Sequence, residues 1–170
     1  VGLGRDAPPI SGLRVETLRR EPVVVAVPAA HPLAEASTVK IPDVIDSALV
    51  KLPQGRARVI DDLIRAIVER TTQDFSAPLN PVVQEANQYL TLLALVAADI
   101  GIALVPASVM SLRSEGLRYL SLDEPDAHTS FTLATRSAAA NAAAANLRTA
   151  LMDEFGGFDD HRSTGGLDPT

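Results

Sequence analysis

Three isolated histidines, a tandem aspartate and a short glycine pattern are the first residues to test for chemistry. Gly2-Leu3-Gly4 starts like a phosphate-binding loop, but no third glycine falls at the spacing a dinucleotide site needs. Neither a Gly-x-Ser-x-Gly elbow nor a P-loop occurs. His31, His128 and His161 lie far apart and read as surface residues. Asp159-Asp160-His161 has metal-ligand types, yet it sits in a tail of Gly, Asp, Ser and Pro that would hold an ion poorly. Asp61-Asp62 falls on the polar side of a helical pattern, which predicts a solvated face rather than acid–base chemistry. With no Cys there is no thiol nucleophile, thiolate metal site or disulfide framework. The expectation is a protein that is not an enzyme, with no catalytic residues, no metal and no cofactor.

The elements behind these residues alternate between strand and helix. The chain has 170 residues, 46% of them apolar, which is enough for a real core. Aromatics are 4% and Trp is absent, so Val, Leu, Ile and Ala must build that core. A net charge of −6 argues against a nucleic-acid surface, and no apolar run approaches a membrane span. Val1 to Gly4 reads as the end of a buried strand, and Leu18 begins an extended stretch entering Val23-Val24-Val25-Ala26-Val27. Further strands are expected at Ala48–Leu52, Val82–Val83, Ile102–Val105, Leu117–Leu122 and Ser130–Thr135. Val59, Ile60, Leu63, Ile64, Ile67 and Val68 follow helical spacing. Gln88–Ala98 is apolar all round and predicts a buried helix. Ala138–Phe155 predicts an Ala-rich helix with Leu147, Leu151 and Phe155 as its core stripe. Residues 156–170 predict a flexible tail. Together these predict an α/β fold with a largely parallel sheet. The chain opens on Val rather than Met, inside a strand, which predicts a truncated or processed chain.

The order and spacing of several segments resemble a known family. Leu18-Arg-Arg-Glu-Pro-Val-Val-Val-Ala-Val, then His31-Pro-Leu-Ala34, resembles the middle of LysR-type regulatory domains. So does Val83-Gln-Glu-Ala followed by Leu92 through Pro106, with Val1–Arg5 before and Phe131–Arg136 closing the domain. Val105-Pro-Ala-Ser108 and the surroundings of Glu85 look most like regulators of aromatic catabolism, the benzoate and catechol type. The resemblance implies a type 2 periplasmic-binding-protein-like fold, two lobes joined by crossover strands, with a small effector held in the cleft between them. It places an incomplete first lobe at residues 1–20 and 127–155 and the second lobe at residues 21–126. The crossovers fall near Arg19–Val23 and Leu122–His128, and the helix-turn-helix domain is absent. The family usually has Gly where this chain has Asp99, a position that is commonly left-handed.

Such a cleft suits a small aromatic or dicarboxylic anion. Arg5 is the first candidate, because a guanidinium clamps a carboxylate through two parallel bonds. In the aromatic-responsive branch, the matching Arg and the Glu corresponding to Glu85 take part in effector recognition. The competing expectation is that Arg5 and Glu85 pair with each other. The loop Pro53–Val59 is the second candidate: Gln54 and Arg58 would meet a carboxylate and Val59 a ring, against a plain surface role for Arg56 and Arg58.

The resemblance implies an effector sensor controlling transcription, cytoplasmic, acting as a homodimer or tetramer. It would have no membrane contact and would reach DNA only through the missing N-terminal domain. The exposed part of the Val59–Val68 helix is a candidate dimer contact. A periplasmic solute-binding protein of a transporter shares the fold and is the alternative, but no signal peptide or lipidated Cys opens the chain. An enzyme on the same fold lacks a nucleophile or base in a convincing setting.

Overall fold

The structure is a computed structural model that describes residues 1–7, 10–45, 47–53, 60–62, 65, 82–113, 115–136 and 142–155. It divides into two compact units, Val1–Glu21 with Ser130–Thr170, and Pro22–Thr129. The divisions fall inside two strands, β2 (Leu13–Pro28) and β8 (His128–Arg136), so each strand runs from one unit into the other.

In the Pro22–Thr129 unit, β2 is the centre. It pairs antiparallel with β6 (Ala103–Pro106) and with β7 (Leu117–Leu122), which takes β3 (Thr38–Val39) in parallel on its far side. β4 (Leu49–Lys51) pairs in parallel with β5 (Val82–Glu85) and bridges in parallel from Leu49 to Ile102. The sheet is therefore mixed, which corrects the expectation of a largely parallel one. Periodicity reports which segments are strands, whereas direction depends on which distant segment pairs with which.

The valine run of β2 explains the packing. Successive side chains in a strand point to opposite faces. Val23, Val25 and Val27 enter one buried cluster with Ile41 and Val44 of α1 (Ile41–Ile45). Val24 and Ala26 enter another with Leu92, Leu93 and Val96 of α2 (Tyr89–Ala97). A strand segment covered on both faces must be apolar throughout, as Val23–Val27 is. Each fully buried Val contributes about 1.5–3 kcal/mol. Ile41 and Val44 are buried, so this short helix is a core element.

α2 ends in a reciprocal cap. Ile100 N–H donates to the Leu95 carbonyl at 3.2 Å and Asp99 N–H to Val96 at 2.9 Å. Asp99 takes the left-handed conformation this requires, at φ 61°. Gly101 follows because a Cβ there would lie 2.5 Å from the Ala48 carbonyl oxygen, which accepts the Ile102 N–H at 2.8 Å.

In the other unit, β1 (Gly2–Arg5) is the edge strand, antiparallel to β8 with Arg5 opposite Phe131. Val1 and Leu3 are exposed, so this strand is not buried as its sequence suggested. α3 (Ala142–Phe155) has no buried residue, and Leu147 is 48% exposed, against its expected place in a core stripe. Instead Arg148 grips Glu16 of β2 through Nε at 2.6 Å and through a second, shorter bond from its terminal nitrogen. Of the helix expected at Val59–Val68, residues 60–62 and 65 are helical, and the rest lies outside the described residues, as do residues 156–170.

Candidate functional site

Arg5 ends β1 with its guanidinium 5.9 Å from the centre of the Phe131 ring, its partner across the strand pair. Its Nη1 donates to Glu21 Oε1. The Arg5 side chain is 32% exposed and that of Glu21 3%. A charge so deeply buried needs an opposite charge and further hydrogen bonds to persist. Glu21 sits between Arg19-Arg20 and the valine run of β2, and nothing in that local sequence marked it as the partner of Arg5. Next to it, Asp6 takes φ 47° and exchanges two hydrogen bonds with Ser130, receiving its N–H at 2.6 Å and donating its own at 2.8 Å. Burial pushes the Asp6 carboxyl up, opposed by the Ser130 N–H and by Arg5.

The remaining candidates belong to the other unit. Pro53 follows β4 and is half-buried. Gln54, Arg58 and Val59 lie outside the described residues. Glu85 ends β5, exposed, with its Cα in register with Lys51.

A cavity of about 90 Å3 also lies in this unit. Leu49 and Leu52 from the β4 segment, Ile60, and Leu92 from α2 line it, with Lys51 and Asp61 as its polar wall. Lys51 Nζ stands 3.5 Å from Asp61 Oδ2, an ion-pair distance beyond a good hydrogen bond. That oxygen is buried and has no hydrogen-bond partner among the described residues. Burial pushes the Asp61 carboxyl up, against the lowering effect of the Lys51 ammonium. Asp61 therefore does not face solvent as its helical spacing suggested, whereas Asp62 is exposed. The helix turns its boundary residue inward, and a charge pair from a strand ten residues earlier accommodates it.

The histidines also differ from expectation. His31 Nδ1 accepts the Leu33 N–H at 3.2 Å and so caps the short 3-10 turn Pro32–Glu35. His128 starts β8, and its Nδ1 is buried without a partner among the described residues. Among the described residues no group of three or more His, Asp or Glu is placed to hold a metal ion. No helix there is long and apolar enough to cross a membrane.

Comparison with known proteins gives these features a context. A family model described as the LysR substrate binding domain matches residues 1–156. The transcriptional regulator BenM of Acinetobacter baylyi is 32% identical over 139 residues, which are 80% of this chain and 44% of that protein. The regulator AlsR of Bacillus subtilis is 27% identical over 138 residues, again 80% of this chain and 44% of that protein. The chain thus spans under half the length of these two relatives. The solved BenM effector binding domain with its effector benzoate superposes with a TM-score of 0.72 at 26% identity, covering 98% of this chain and 75% of that one. The fold is that of LysR effector-binding domains, the type 2 periplasmic-binding-protein-like class.

Proposed function

This chain belongs to the LysR substrate binding domain family, and from that premise we propose that it is the effector-sensing part of a transcription regulator. The family match across residues 1–156 carries the reading. The sensed ligand is a small carboxylate, aromatic or dicarboxylic, in keeping with the benzoate of the BenM domain. In this reading residues 1–20 and 127–155 are the remnant of one effector lobe and residues 21–126 are the other. The regulator acts in the cytoplasm, assembles as a dimer or tetramer, and reaches DNA through a separate N-terminal domain. Its role is regulatory, not enzymatic.

Arg5 is the anchor for the ligand carboxylate. Pro53, Gln54, Arg58, Val59 and Glu85 are the further contacts. Arg5 is held between the Glu21 carboxylate and the Phe131 ring while a third of its side chain stays accessible. An incoming carboxylate competes with Glu21 for the guanidinium. Taking the guanidinium away from a buried carboxylate costs about 3–5 kcal/mol unless the chain rearranges. Ligand binding therefore favours one arrangement of the chain over another, which is what a sensor requires.

Thermal unfolding of the chain with benzoate and with cis,cis-muconate tests this. The midpoint rises with ligand concentration, by about 2.7 kcal/mol of stabilisation at a hundredfold excess over Kd. Arg5→Ala abolishes the rise. An equal rise in that variant, or a cooperative transition that neither acid shifts, removes Arg5 from the ligand.

A further inference from the structure

The cavity beside Lys51 is not accounted for by Arg5. It has an apolar wall, one ammonium and one buried carboxylate oxygen with no hydrogen-bond partner among the described residues. A buried acceptor without a good hydrogen bond is costly, more so when charged, so a ligand that satisfies it gains affinity. The volume, about 90 Å3, limits the ligand to a few non-hydrogen atoms, and the leucine and isoleucine side chains lining it take a short branched aliphatic body. The ammonium selects a carboxylate as the polar end.

We propose that this cavity binds a short branched-chain carboxylic acid, whose carboxylate takes Lys51 Nζ from Asp61 while its acid proton passes to Asp61 Oδ2. The charges balance. The neutral acid gives up its O–H proton to Asp61, Lys51 keeps its ammonium, and one carboxylate replaces another beside it. The protonated Asp61 then donates its O–H to the bound anion, which gives the orphaned oxygen a partner. Burial already pushes the Asp61 carboxyl up, which eases that protonation.

The charged groups around Asp61 are Lys51 from β4 and, along its own helix, Asp62, which raises it, and Arg65, which lowers it. β5 contributes Val82 and α2 contributes Tyr89 to the same wall. Glu85 is in register with Lys51 and exposed. This site lies wholly within the Pro22–Thr129 unit and does not depend on the Arg5 reading.

Calorimetric titration of the 170-residue chain with isobutyrate, between about pH 5 and pH 8, tests the proposal. One proton is taken up per anion, so affinity falls about tenfold for each pH unit. Asp61→Asn binds isobutyrate with an affinity independent of pH, because its neutral amide replaces the protonated acid. The double variant Lys51→Met with Asp61→Asn, which leaves no buried charge unpaired, does not bind. The Lys51 and Asp61 variants leave the response to benzoate at Arg5 as it is in the parent, so failure of the Arg5 site and failure of this one are told apart. Absence of isobutyrate binding at pH 5 by a cooperatively folded chain overturns the proposal. So does a pH-independent affinity in the parent, or binding retained by the double variant.

Discussion

Asp99 closes α2 with a left-handed backbone at φ 61°, a conformation that glycine adopts freely and an L-residue only at a cost. Its N–H and that of Ile100 complete the helix cap, so the strain sits where no alternative geometry is open. Asp99→Gly should stabilise the chain by about 1 kcal/mol, raising the unfolding midpoint by roughly 2–4 °C. A lower midpoint in calorimetry would mean that the Asp side chain contributes more than its backbone costs. This position was anticipated through the family resemblance, which usually carries Gly there, and its left-handed backbone has a local cause in the helix cap. The Arg5–Glu21 pair was only half legible. Arg5 stands out as a carboxylate clamp, but its choice of Glu21 depends on strands β1 and β2 each packing beside β8.

At the scale of elements, α3 shows how a helix can be anticipated and its attachment missed. Alanine propensity makes Ala142–Phe155 helical without help from the rest of the chain. Its Leu147 remains exposed while the two-pronged Arg148–Glu16 contact holds it to β2. The Arg148 hydrogen bonds hold the Glu16 carboxyl below the usual glutamate range. A group lowered in the folded state stabilises above its unfolded titration range, and that contribution is lost as pH falls through its folded value. Glu16→Gln should therefore destabilise the chain at neutral pH, and the difference should close as the pH falls below the usual glutamate range. A difference that stays constant over that range, followed by chemical denaturation at successive pH values, would show that the contact adds nothing electrostatic.

Across the whole molecule, the most protected region should be the part of β2 with a partner on each edge. Val24, Val25 and Ala26 pair with β6 on one side and β7 on the other, and both faces of the strand are covered. Hydrogen exchange should be slowest at these amides and much faster in β5, all four of whose residues are exposed. Comparable rates in the two strands would contradict the assignment of β2 as the centre. The sequence by itself determined the class of fold and the order of its elements, because strand and helix periodicity, proline stops and alanine propensity are local properties of the chain. It also carried family membership, through the order of segments between Val1 and Phe155. Only the tertiary structure decided that the sheet is mixed, that Glu21 is the carboxylate against Arg5, and that Asp61 turns inward to Lys51. Those are pairings between residues distant in the chain. Which partner each takes follows from strand register and burial, and neither is encoded in the spacing of nearby residues.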